Sequence, residues 1–187
     1  MKNILEQKKQ LREEMLDKRA KLNSKNKRVY DLWICERLEE EILKRKSKVV
    51  HAYLPMGKEI NILPLLKILI EKNITVVVPK TLPKRKLENR ILTSITAIEK
   101  GVYGTTHPSN PNEYTGDFDF IIVPGLAYDK NKYRVGYGGG YYDNFLVNHH
   151  NAFKMGIFYP IQEVESVPRE PHDYCLDGLL VNSTIEL

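Results

Sequence analysis

Residues 3–22 carry their apolar side chains in a helical rhythm. Ile4, Leu11, Met15 and Leu22 recur among charged residues with no Gly or Pro between them, which predicts an amphipathic helix. Asn23 and Ser24 break the pattern and suit the cap of a second helix running to about Arg45. Its Val29, Leu32, Trp33, Leu38 and Ile42 fit one buried stripe. From Lys48 the period changes. VVHAYLP is a short β-prone run closed by Pro55, ILPLLKILIEKN predicts a helix starting near Asn61, and ITVVVPK is a second apolar strand stopped by Pro79. Strand, helix and strand in such close succession form a βαβ unit, which implies a parallel sheet and a right-handed crossover.

The segment 81–117 is less regular. ILTSITAI predicts a strand, and Pro108 and Pro111 mark a connector rich in Ser, Thr and Asn. DFDFIIVPG reads as the best buried strand in the chain, apolar and β-branched, ended by Pro124 and Gly125. YYDNFLVNHH then predicts a helix, and FKMGIFY and LDGLLV predict closing strands. The expected fold is α/β: a three-layer sandwich with a mainly parallel sheet of about five strands. The expected organisation is a single domain, 1–187, whose N-terminal helices, 1–46, pack on the α/β core.

Composition narrows the classes. With 187 residues, 42% hydrophobic and 28% charged, the chain can bury one core and does not read as disordered. No apolar run approaches the roughly 18 residues of a membrane span, and MKNILEQKKQLREEM lacks the apolar centre of a secretory leader. Cys35 and Cys175 form no CxxC or zinc pattern and read as small buried hydrophobes, so a cytoplasmic location is expected. Charge is uneven. Residues 1–50 hold 15 Lys and Arg against 9 Asp and Glu, and the remainder 14 against 15, so the net +5 originates near the N-terminus. That pattern fits a nucleic-acid partner, a polyanionic small ligand or a solvated helical face.

RVGYGGGYYD, residues 134–143, separates these options. Between a buried strand and a helix, glycines let backbone N–H groups converge on an anion, and the helix start favours negative charge. Arg134 offers a bidentate fork to phosphate oxygens, and Asp143 a carboxylate for Mg²⁺. The dinucleotide pattern G-x-G-x-x-G fails at Tyr141, and no Lys-Ser or Lys-Thr follows as a P-loop requires. From the residues alone, the loop is either a phosphate and Mg²⁺ site or a tight structural turn. PREPHDYCLDG adds His172, Asp173 and Asp177. Zinc at His172 and Cys175 lacks further ligands. Asp177 reads either as a second metal-facing carboxylate or as a turn former.

The stretch PGLAYDKNKYRVGYGGGYYDNFL resembles the signature of the 5-formyltetrahydrofolate cyclo-ligase family. KKQLR at 8–12, YLPMGKEIN at 53–61 and PREPHDYCLDGLLV resemble its other motifs, in the same order, so the resemblance spans nearly the whole chain. It implies an ATP- and Mg²⁺-dependent conversion of 5-formyltetrahydrofolate to 5,10-methenyltetrahydrofolate. By carry-over, Lys8, Lys9, Gln10, Leu11 and Arg12 would meet ATP. So would Arg134, Val135, Gly136, Tyr137, Gly138, Gly139, Gly140, Tyr141 and Tyr142. Arg12, Leu54, Glu59, Tyr137, Gly138, Gly139, Gly140 and Tyr141 would border the folate, with Glu59 accepting from the pterin. Arg134 and Asp143 would be catalytic, and Asp143 and Asp177 would hold Mg²⁺. Many relatives have lysine between the last two glycines, where this chain has Gly139. Part of the loop's charge must then come from elsewhere, Lys132 or the N-terminal helix. The expected partners are small molecules, with no nucleic acid or membrane, acting on a monomer or weak homodimer. Competing readings are another ATP-dependent kinase or ligase, and a nucleic-acid-binding module using the basic helices.

Overall fold

A computed structural model describes residues 3–187; residues 1 and 2 of the expected helical segment lie outside them. Asn3 caps helix α1 (Ile4–Ala20) by accepting from the Leu5 N–H, and Asn23 caps α2 (Ser24–Lys44) by accepting from Lys25 and Asn26. The chain continues through β1 (Val49–His51), α3 (Leu63–Glu71), β2 (Thr75–Leu82), β3 (Lys86–Ile91), β4 (Ile98–Lys100), β5 (Thr106–Pro108) and β6 (Phe120–Val123). It ends with β7 (Ala127–Tyr128), β8 (Arg134–Val135), α4 (Tyr141–Leu146), β9 (Phe153–Ile157) and β10 (Gly178–Leu180).

Six strands form one sheet in the order β10-β9-β6-β1-β2-β3, parallel except for the antiparallel edge pair β2–β3. All four residues of β6 are buried, as a strand covered on both faces requires. One face packs on α2 and α3 through Tyr30, Ile34, Leu38, Leu65, Leu66 and Leu69. The other packs on α4 and its neighbours through Phe118, Ile121, Val123, Phe145 and Leu146. The α/β expectation therefore holds, in one domain.

Several details differ from the sequence reading. Pro79 does not stop β2, because β1 ends opposite Val77 and leaves one edge of β2 free where the proline lacks its N–H. ILTSITAI is not a strand. Its ends belong to β3 and β4, while the rest crosses between them. The helix after the glycines has only six residues, then tightens into i+3 turns at Asn148 and His149. Val29 and Leu32 are exposed, and the buried stripe of α2 is Tyr30, Ile34, Cys35, Leu38 and Ile42. Cys175 is exposed, its thiol donating to the Asn131 carbonyl.

Helix α1 carries the most consequential difference. Ile4 is exposed, whereas Lys8, Met15 and Arg19 are buried. Spaced by seven and four residues, these three share one helical face with Arg12. Helix α1 thus turns a largely cationic stripe towards the body of the protein.

Candidate active site

Strand β1 lies between β2, reached through α3, and β6, the next parallel strand on its other side. That reversal of direction is a topological switch point, where open parallel sheets place ligands beyond the strand ends. The loop after β1 supplies Glu59. The segment after β6 supplies the β7–β8 hairpin and then the glycine loop. Buried Asp129 fixes this hairpin, its two oxygens accepting from Tyr133 N at 3.1 Å and Val167 N at 3.0 Å.

Arg134 leaves β8 fully enclosed, its side chain only 2% exposed, and its Nη1 donates to Asp143 Oδ1 at 2.8 Å. Tyr174 N–H donates to the same oxygen at 3.3 Å. Burial alone would raise the Asp143 pKa. Arg134, the Tyr174 N–H and Lys8 outweigh it and hold the carboxyl below its ordinary value. The surroundings of Asp143 therefore favour its carboxylate form.

Lys8 reaches the same place from α1. Its Nζ lies 2.8 Å from Glu170 Oε2 and 2.6 Å from Asp173 Oδ2. Arg12, one turn further, donates from Nε to the Gly136 carbonyl at 2.9 Å. Neither is left as a freely solvated charge on the helix. Lys9 is exposed, and Leu11 packs against the small cluster of Met15, Leu126, Ala127 and Val135. The KKQLR motif thus divides. Arg12 reaches the glycine loop and Lys8 the Glu170–Asp173 segment, whereas Leu11 anchors the helix that carries them.

Asp177 is not gathered with Asp143. It precedes β10, at the opposite end of the parallel sheet from the glycine loop, where its Oδ2 accepts from Lys154 N at 2.8 Å. It borders a separate polar cleft with Asp119 and Ser47. Asp173 instead precedes the residue whose N–H holds Asp143, and its carboxylate accepts from Lys8. Glu170, His172 and Asp173 bring ligand atoms within 4.8 Å of one another. Sequence reading named Asp173 without a role, since neither spacing nor composition separates it from Asp177.

The other half of the site is built around Glu59. Its Oε2 accepts from Met56 N at 2.7 Å, and the Tyr137 hydroxyl acts on the carboxylate from nearby. Burial raises the Glu59 pKa, against the pull of Met56, Tyr137 and Arg19. Arg19, not foreseen from the sequence, spans the two halves: Nε donates to Lys58 O at 3.2 Å and Nη1 to the Tyr137 hydroxyl at 3.0 Å. In sequence it reads as one more surface charge on α1. Leu54 is buried in the main core beside this loop, and Tyr53 closes the loop by donating to Ile60 O at 2.8 Å.

In the glycine loop, Gly138 and Gly140 have φ of 98° and 67°, a left-handed backbone that other residues adopt at a cost. Tyr141 donates to Leu82 O at 3.0 Å, and Tyr142 turns inward near His51 and Phe145. The hydroxyl of Tyr142 and Nε of Arg134 are buried with no hydrogen-bond partner among the described residues. Unmet donors beside a glycine backbone and the Asp143 carboxylate fit a phosphate with its divalent cation. Lys132, expected as a substitute charge for the loop, instead donates to the Asp177 carbonyl at 3.0 Å and does not serve it.

A family model described as the 5-formyltetrahydrofolate cyclo-ligase family matches residues 4–182. The chain belongs to this family. The resemblance read from KKQLR, YLPMGKEIN and the glycine loop is borne out. The cyclo-ligase of Mycoplasma genitalium is 31% identical over 178 residues, covering 92% of this chain and 96% of the relative. That of Mycolicibacterium smegmatis is 32% identical over 149 residues, or 74% of this chain and 75% of the relative. The NMR structure of Aquifex aeolicus 5,10-methenyltetrahydrofolate synthetase superposes with a TM-score of 0.81 at 28% identity, over 95% of this chain and 91% of that one. The Mycoplasma pneumoniae synthetase shares the fold, with a TM-score of 0.74 at 24% identity over 92% and 96% of the two chains. As a member of the cyclo-ligase family, the chain is an enzyme. No helix among the described residues is long and apolar enough to cross a membrane.

Proposed function

We propose that the protein converts 5-formyltetrahydrofolate to 5,10-methenyltetrahydrofolate in the cytoplasm, using ATP and Mg²⁺ and releasing ADP and phosphate. Family membership supports the conversion. The observation that carries the ATP and Mg²⁺ part is the meeting of Arg12, Arg134 and Asp143 at the glycine loop, with Lys8 on the neighbouring Asp173.

The chemistry needs this division of labour. A formamide carbonyl is a poor electrophile, and its oxygen is a poor leaving group. Phosphorylation of that oxygen remedies both, so that N10 can attack the formyl carbon. The C–O bond then breaks as phosphate departs, and N10 releases its proton. Transfer of this type depends on positioning and charge neutralisation. Arg134 and Arg12 bind and orient the phosphates, and the loop N–H groups approach them closely because Gly138 and Gly140 carry no side chain. Asp143 and Asp173 would hold Mg²⁺, replacing Asp177 in that role. The ion's part is to neutralise charge on the phosphate oxygens. Glu59 accepts from the amino and ring N–H groups of the pterin, and Tyr137, Tyr141 and Leu54 supply the apolar wall.

The test is growth of methenyltetrahydrofolate absorbance when the protein meets 5-formyltetrahydrofolate, ATP and Mg²⁺. Growth that requires all three supports the proposal. No growth under those conditions overturns it.

A further inference from the structure

The tip of the β2–β3 hairpin lies against the glycine loop. Tyr141 in the loop donates to Leu82 O in the hairpin at 3.0 Å. A β-carbon at Gly140 would come within 3.6 Å of Arg85 Nη1. On the other side, one at Gly138 would come within 3.1 Å of Arg12 Cζ. Two guanidinium groups therefore bracket the Gly138–Gly140 backbone, one from α1 and one from the hairpin.

Three further observations bear on Arg85. Lys84 and Arg85 both adopt left-handed backbone, with φ of 60° and 59°. Such geometry is unfavourable for an L-residue, and Asn or Gly would be the usual choice in a tight hairpin turn. Cations are placed there all the same. Arg85 is exposed and makes no ion pair with an acid among the described residues, unlike Arg134 with Asp143 or Lys8 with Asp173. Finally, Gly139 has no room for a side chain. A β-carbon there would meet the Tyr141 ring at 2.7 Å, and that ring is held by Leu82.

We infer that Arg85 completes the phosphate clamp, reaching over Gly140 to the phosphate oxygens of the bound nucleotide and replacing the side-chain cation that Gly139 excludes. The inference rests on the reading of this loop as the nucleotide site. Arginine suits the role because its planar fork binds two phosphate oxygens at once. The positions of the two arginines imply that the polyphosphate lies along the Gly138–Gly140 backbone.

Calorimetric titration of the full chain with a non-hydrolysable Mg·ATP analogue, and separately with 5-formyltetrahydrofolate, tests it. Arg85→Gln is expected to weaken nucleotide binding about tenfold or more, the loss typical of a hydrogen bond to a charged group. Arg85→Lys should recover part of that loss. Lys86→Gln, on the same hairpin, should bind nucleotide like the wild type, and folate affinity should be unchanged in every variant. Nucleotide binding by Arg85→Gln within twofold of wild type overturns the inference. So does equal weakening by Lys86→Gln, which would indicate a diffuse field, or a loss confined to folate, which would place Arg85 on the folate carboxylates. If the wild type binds no nucleotide, the reading of the loop itself fails and takes the inference with it.

Discussion

Arg134 Nη1 donates to Asp143 Oδ1 across 2.8 Å, tying the start of β8 to the first turn of α4. The two residues lie nine positions apart, with the glycine loop between them. Their contact closes that loop into a ring with the cation and the carboxylate at its base.

Breaking the pair has a defined consequence. Asp143→Asn keeps an acceptor near Arg134 but removes the charge, so turnover should fall by about 10² or more. Far-UV circular dichroism should remain that of the wild type. Because Arg134 holds the Asp143 pKa down, the stability from this pair is present above about pH 4 and is lost as pH falls through the depressed value. Wild-type turnover in the variant would remove Asp143 from the metal role.

Asp173 and Asp177 should behave differently. Asp173→Asn is expected to raise the Mg²⁺ concentration needed for half-maximal activity by about tenfold. Asp177→Asn should leave that requirement unchanged and lower the melting temperature instead, since it removes the charge that faces buried Lys154 Nζ at 3.8 Å. A Mg²⁺ titration of both variants decides. The reverse result would restore Asp177 as the ligand.

Glu59 sets function against stability. Burial raises its pKa, so its ionised form is disfavoured in the fold, and stability falls as pH rises from the unfolded value near 4.3 to the raised folded one. Glu59→Gln should therefore melt no lower than wild type at neutral pH. Its Michaelis constant for 5-formyltetrahydrofolate should rise about 10- to 100-fold, the loss of a charged acceptor. Parallel thermal melts and initial rates test both halves.

His51 ends β1 wholly buried, its ring 4.4 Å from that of Phe145. Burial, reinforced by His149 and opposed by Asn89, pushes its pKa down to about 3. The unfolded chain then takes up the proton first. Stability is intact above about pH 6.5 and declines between there and pH 3 by up to about 1.4 kcal/mol per unit. His51→Leu should flatten that slope in urea denaturation at pH 7 and pH 5, whatever it does to the absolute value. An unchanged slope would show that other groups set it.

Much of this architecture is legible in the sequence. The βαβ unit, the buried strand of Phe120–Val123 and the glycine loop all announce themselves by apolar runs and punctuation, because burial on both faces leaves no other pattern. Strand β3 does not. KLENRI is an edge strand, half exposed, and its charges read as loop. The two-residue strands β7 and β8 are too short for any period, so Arg134 looks like a loop residue although a hairpin fixes it. Helix α1 misleads for another reason. Its inner face is cationic, so hydrophobic spacing finds the helix but not the side that packs. Arg19, Arg85 and Asp173 join the site only through tertiary contacts, which spacing cannot express.

The proposed reaction turns on phosphorylation of the formyl oxygen within this loop. The most direct measurement uses 5-formyltetrahydrofolate carrying ¹⁸O in its formyl group, with mass analysis of the phosphate released during turnover. One ¹⁸O atom in each phosphate is the predicted result. Methenyltetrahydrofolate formed with unlabelled phosphate would contradict the claim.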